Sequence, residues 1–305
     1  MAIRRILLAT LIGVVMLFSG VAARAQTSID RAASSHNFSG MWWNDPAGSE
    51  AGWGINIAHQ GDVMFVTWLT YDLNGKAWWL SMTANRGDGD SYAGILYETR
   101  GPAFNSVPFD PSRVSLTPVG TATLIFSDAR SGAFSYTVNG ITQAKSIALQ
   151  AFADPVPVCT FGATSGGPSS IGATSDAIAA TNYQDIWWNA PANSEAGWGL
   201  NLTHQGNVIF AVWFTYELDG TPFWRSATLF MNGQKSYAGT LYQTTGPAWN
   251  AVPFDSQEVM QTPVGTASLV FGDGNTGAFS YNVNGVAQTK IITREVLRSP
   301  GTVCH

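Results

Sequence analysis

Three side chains have types that could do chemistry, and each returns 145 residues later: Glu50, His59 and Lys145 are matched by Glu195, His204 and Lys290. An acid and an amine held together could act as general acid and base. A zinc site usually needs three or four ligands, more than one recurring histidine per copy supplies. His59 and His204 therefore read as packed or turn-stabilising residues, with ligand contact as the second reading. Asp110 and Asp128 recur as Asp255 and Asp273, and two carboxylates at a suitable separation can hydrolyse a glycosidic bond. Asp128 stands where a turn acid belongs, however, and Asp110 follows Val107-Pro108-Phe109 in a loop. No nucleophile elbow, His-Glu-x-x-His helix or phosphate loop is present. Asp88-Gly89-Asp90 is like part of a calcium loop, but its counterpart is Gly233-Gln234-Lys235. No metal or cofactor is expected.

Aromatic residues give the stronger signal. Trp42, Trp43, Trp53, Trp68 and Trp79 recur as Trp187, Trp188, Trp198, Trp213 and Trp224, among amides and hydroxyls. Flat rings flanked by hydrogen-bonding groups suit a sugar or another small ring compound. The candidate ligand-binding set is Trp43, Asn44, Glu50, Asn56, His59, Gln60, Trp68, Trp79 and Lys145, with Trp188, Asn189, Glu195, Asn201, His204, Gln205, Trp213, Trp224 and Lys290. For any single tryptophan, however, core is the favoured reading.

These residues must be positioned by strands. The register runs without insertion from Trp42 through Cys159 and again from Trp187 through Cys304, with about half of the aligned positions identical. Each copy holds eight strand signals, near 40–45, 52–60, 62–72, 77–84, 91–99, 120–127, 132–139 and 141–151 in the first. Asp72-Leu73-Asn74-Gly75 and Val138-Asn139-Gly140 supply hairpin chemistry. The chain is expected to be all-β, with two tandem antiparallel meander domains forming eight-stranded barrels, the closure removing exposed edges; β-sandwiches are the alternative. The domains are expected at 40–159 and 185–305, joined by a Gly/Ser/Ala-rich linker at 160–184.

Differences between the copies mark constrained faces. Trp79, Ser81 and Thr83 recur, whereas Leu80 and Met82 become Arg225 and Ala227. Gln143, Lys145 and Ile147 recur as one face of the last strand. Pointing inward, that face would place a lysine in or at the mouth of each barrel and require an acid partner, for which Glu50 and Glu195 are the first candidates. The favoured reading is a lysine reaching solvent from the strand end.

The N-terminus reads as a secretory signal peptide, residues 1–25: Arg4-Arg5, an apolar run from Ile6 to Phe18, then Ala23-Arg24-Ala25. The run is too short to span a bilayer. A loose segment, 26–39, follows. Cleavage removes three arginines and takes the formal charge from -5 to -8, which disfavours nucleic acid as a partner. Charged residues are 11 % of the chain against a usual value of about 25 %. Cys159 and Cys304, the only cysteines, end the two copies. In an oxidising compartment they are expected to bridge the domains at their closing strands, or to pair between chains.

The run Trp42-Trp43-Asn44, Gly52-Trp53-Gly54-Ile55-Asn56, His59-Gln60-Gly61 and Trp68-Leu69-Thr70-Tyr71-Asp72, with its twin, resembles a recurring domain of exported proteobacterial proteins, mostly without an assigned function. Gly40-Met41-Trp42 opening an eight-strand meander is similar in fold to lipocalin- and avidin-type barrels, although Asp185-Ile186-Trp187 lacks the glycine. The resemblance implies repeat structure and export to the periplasm or beyond, and brings no catalytic residue. The expectation is a non-enzymatic binding protein with two similar Trp-rich sites for a small polar, aromatic or carbohydrate ligand. The alternatives are a secreted hydrolase or lyase using Glu50 and Lys145, and a structural surface module.

Overall fold

The computed structural model describes Ser34 and residues 36–162, 182–299 and 301–305. The proposed leader and most of the proposed linker lie outside the described residues. Eight strands, β1 Gly40–Asn44, β2 Gly54–Gln60, β3 Val63–Tyr71, β4 Ala77–Arg86, β5 Ser91–Arg100, β6 Ser115–Phe126, β7 Ser131–Val138 and β8 Ile141–Leu149, pair in sequence order, and β8 returns to β1 to close a barrel. After a short strand, β9 Cys159–Gly162, the second copy repeats the pattern: β10 Asp185–Asn189, β11 Gly199–Gln205, β12 Val208–Tyr216, β13 Pro222–Gly233, β14 Ser236–Thr245, β15 Met260–Phe271, β16 Thr276–Val283 and β17 Val286–Arg294 form a second closed antiparallel barrel. The barrel expectation holds, and the sandwich does not occur.

Turn chemistry sets the meander. Asn139 and Gly140 both have positive φ, 48° and 83°, the primed turn that matches strand twist. At Asp72–Gly75 only Gly75 does so, with φ 75°. There the Asp72 carboxylate orders the turn by accepting the Asn74 and Lys76 amides. Strand β6 begins at Ser115, five residues before the expected start, because Thr117-Pro118 reads as a breaker. Residues 115–118 pair with β5 alone, past a register shift between Leu96 and Tyr97. A proline is tolerated in such a one-sided ribbon because no ladder donor is lost.

Residues opposite one another in register share a face. Ile55, Trp68 and Leu80 are aligned, as are Ile57, Val66 and Met82, and all are buried. This even-numbered face of β4 lines the barrel. The odd face, Trp79, Ser81 and Thr83, points outward, and its upper part packs on the other barrel. The Trp79 ring lies 5.1 Å from Phe214 and its indole donates to the Thr215 carbonyl at 3.1 Å. Trp224 makes the reciprocal bond to Thr70 at 2.9 Å. Recurrence on this face therefore records barrel-to-barrel packing.

The bridge Cys159–Cys304 forms within the chain. Its cysteines lie outside both barrels, in a two-stranded ribbon of β9 and β18 (Gly301–Cys304), a correction to the expected place at the closing strands, which are β8 and β17. Phe161 of this ribbon meets the His59 ring edge-on at 4.8 Å, so the ribbon covers the lower end of the first barrel. Changing both cysteines to alanine is expected to lower stability by about 2–4 kcal/mol and leave both barrels folded. Thermal melts with and without the bridge check this; an unchanged melting temperature would show that hydrogen bonds alone hold the ribbon.

Candidate functional site

The barrel interiors are filled. In the first, Trp68 packs against Tyr136 (4.4 Å between ring centres), Phe134 (5.6 Å) and Trp53 (6.3 Å). Below them Phe38 stacks on Phe126 at 3.9 Å and on His59 at 5.6 Å. Tyr183 fills the same place in the second barrel, on Phe271 and His204. Each histidine Nδ1 accepts a backbone N–H, from Phe38 or Tyr183, and in the second barrel Nε2 meets the Tyr237 hydroxyl at 3.1 Å. Burial depresses both imidazoles, His59 to about 3 and His204 to about 4, so they are neutral packing residues at ordinary pH.

Upper ends are closed by exchange. Strand direction puts the β1–β2, β3–β4, β5–β6 and β7–β8 connections at one end, and the β5–β6 connection of each copy reaches into the other barrel. Trp249 lies 6.2 Å from Trp68 and from Tyr136 of the first barrel, and its amide donates to the Tyr71 carbonyl. Phe104 does the same in the second barrel, 5.7 Å from Trp213 and 5.9 Å from Phe223, with its amide on Tyr216. Gly246 and Gly101 are required because a Cβ at either would collide with the Tyr71 or Tyr216 ring. The smaller plug is matched by a larger wall: where the first barrel has Leu80, the second has Arg225, its guanidinium 4.0 Å from the Phe223 ring and 5.2 Å from Phe104.

The Glu50–Lys145 pair predicted from sequence forms, with Lys145 Nζ 2.7 and 2.6 Å from the two carboxylate oxygens; Lys290 and Glu195 are 2.5 Å apart. Each pair ties the β1–β2 connection to the last strand, so the lysines do not run out to solvent. Lys145 also lies 5.4 Å from the Trp53 ring. Both Glu50 oxygens are engaged by the one ammonium, whereas Glu195 Oε2 is buried without a hydrogen-bond partner among the described residues.

Several of the remaining sequence candidates make contacts within the protein. Asn44 and Asn189 donate to Ser49 and Ser194, closing their loops. Trp188 lies beside Phe65 of the other barrel; Trp43 is half-buried. Asn56 and Asn201 are buried on the outer face of β2 and β11. Gln60 donates to the Glu295 carbonyl and accepts the Leu297 and Arg298 amides. Gln205 does likewise with Gln150, Phe152 and Ala153. Each glutamine thus clamps the segment leaving the other barrel. Asp110 and Asp255 cap short 3-10 turns, and Asp128 and Asp273 accept turn amides. Among the described residues no group of three or more His, Cys, Asp or Glu could hold a metal ion.

The structure instead forms a groove of about 870 Å³ between the upper ends of the barrels. The first barrel contributes Asp72, Lys76, Trp78, Glu98 and Arg100, the second Glu217, Asp219, Phe223 and Gln243, and the plug adds Trp249 and Asn250. Glu98 Oε2 accepts the Trp78 indole at 2.9 Å, and its Oε1 accepts Arg100 Nε at 3.3 Å. Glu217 faces Arg225 at 3.3 Å, where burial lowers the guanidinium to about 10. None of these residues was among the sequence candidates. The available signal was the recurrence of Gly101-Pro102-Ala103-Phe104-Asn105 as Gly246-Pro247-Ala248-Trp249-Asn250 in a region without strand periodicity.

No protein-family model, curated protein or solved structure matches this chain.

Proposed function

We propose that this chain is an exported, non-enzymatic carbohydrate-binding protein with one composite site, the groove between the barrels. The observation that carries the reading is the lining itself. Two indoles, Trp78 and Trp249, lie among carboxylates, a guanidinium and the amides of Gln243 and Asn250. Only the edges of these rings reach the groove, Trp78 being 7 % and Trp249 3 % exposed, so the fixed polar groups supply most of the contact by orienting the hydroxyls of a sugar. The filled barrel interiors and the engaged Glu50–Lys145 pair favour binding in the groove over binding or catalysis inside a barrel. The disulfide favours an oxidising location, and no helix among the described residues is long and apolar enough to cross a membrane.

Titration of the mature chain with soluble oligosaccharides, followed by tryptophan fluorescence and calorimetry, tests the reading. Binding is expected to perturb emission, because two indoles line the groove. Asn250→Ala and Gln243→Ala are each expected to weaken binding several-fold, about 1 kcal/mol per lost hydrogen bond. Binding unaffected by both substitutions would move the site elsewhere.

A further inference from the structure

Trp78, Glu98 and Arg100 form a connected set in the groove. The Glu98 carboxylate is held at one oxygen by the indole N–H and at the other by the guanidinium, and its side chain remains 23 % exposed, that of Arg100 57 %. An anchored carboxylate keeps lone pairs for a ligand, and the guanidinium beside it keeps N–H donors. An acceptor and a donor at fixed neighbouring places match two adjacent hydroxyls, each of which can give and take a hydrogen bond.

The second copy lacks the whole set. Its equivalents are Phe223, Gln243 and Thr245, although the intervening and adjoining Trp79, Leu96, Tyr97 and Thr99 are all retained as Trp224, Leu241, Tyr242 and Thr244. Barrel closure does not need the set, since the second barrel closes without it. In the second copy these positions do other work: Phe223 covers Arg225, and Thr245 bridges Lys76 across the barrels. Trp78 also packs on the Trp249 plug at 6.3 Å, but the Glu98 and Arg100 side chains bonded beside it are absent from the second copy together and are not needed to close a barrel. The groove is also lined by four carboxylates, Asp72, Glu98, Glu217 and Asp219, against the cations Lys76 and Arg100, which disfavours an anionic polymer.

We infer that Trp78, Glu98 and Arg100 form a ligand-orienting subsite of the groove, and that the ligand is a neutral polysaccharide with a free vicinal hydroxyl pair on its internal rings. The inference rests on the carbohydrate reading above.

Calorimetry on the full mature chain tests it with four hexasaccharides. Cellohexaose and 1,4-linked mannohexaose carry adjacent free hydroxyls on every internal ring; laminarihexaose and hexa-N-acetylchitohexaose do not. At least one of the first two is expected to bind tenfold or more tighter than either of the last two. The variant Trp78→Phe, Glu98→Gln, Arg100→Thr installs the set that the second barrel already tolerates. It is expected to melt within a few degrees of the parent and to lose that tenfold preference. Equal or tighter binding of laminarihexaose or the chitohexaose, or an unchanged preference in the variant, overturns the inference while leaving a carbohydrate site standing. Binding of none of the four overturns the carbohydrate reading and the inference with it.

Discussion

Replacing Trp249 with alanine is expected to destabilise the protein by about 3–5 kcal/mol, the usual cost of truncating a large core aromatic. The residue belongs to one copy in sequence and to the other in packing. It is 3 % exposed, its ring lies within 6.3 Å of Trp68, Trp78 and Tyr136, and its amide is bound to the Tyr71 carbonyl. Little can collapse into the space, because the surrounding strands are closed in a ring. The same argument applies to Phe104→Ala, which in addition uncovers one side of the Arg225 guanidinium. Because each core contains a residue from the other copy, both barrels should unfold in one transition. Urea denaturation of the parent and the Trp249→Ala variant checks both points. A loss under about 1 kcal/mol, or two separate transitions in the parent, would show that the plugs are not part of the cores.

Mild acid should weaken the fold through the two buried histidines. His59 and His204 have folded values of about 3 and about 4, chiefly through burial, whereas an unfolded histidine titrates near 6.5. The unfolded chain then binds more protons as pH falls. The stability contributed by the neutral imidazoles is complete above about pH 6.5 and declines from there toward pH 4 and 3. At pH 5 each imidazole has lost about 2 kcal/mol and the pair about 4 kcal/mol. Asp185 and Glu295 oppose the trend, since burial raises both carboxyls and the folded chain then takes up protons there as pH falls. Melting curves at pH 7.5 and 5.0 measure the effect. Asparagine at positions 59 and 204 keeps an acceptor for the Phe38 and Tyr183 amides and removes the titration. That double variant should be less stable at neutral pH and show a flatter pH dependence. An equally steep dependence would assign the acid sensitivity to other groups.

The sequence by itself determined the local and the paired features. Period-two alternation and Asn-Gly chemistry set strands and turns, because both depend on residues near in the chain. The copy-to-copy register named Glu50 as the acid an inward Lys145 would need and offered Cys159 and Cys304 as partners, but it favoured a lysine reaching solvent and left pairing between chains open. Tertiary structure chose the inward lysine and the bridge within the chain. Alternation also showed that Trp79 lies on a constrained face, yet it carries no information about what covers that face. Only tertiary structure decided that the covering is the second barrel, so that Trp79, Trp224, Gln60 and Gln205 join the domains. It likewise decided that Phe104 and Trp249 cross over as plugs, and that Trp78, Glu98, Glu217 and Gln243, spread over 165 residues, line one groove. In a repeated chain, recurrence follows from burial in a core and from burial at an interface alike, and burial depends on which surfaces meet after the strands have formed.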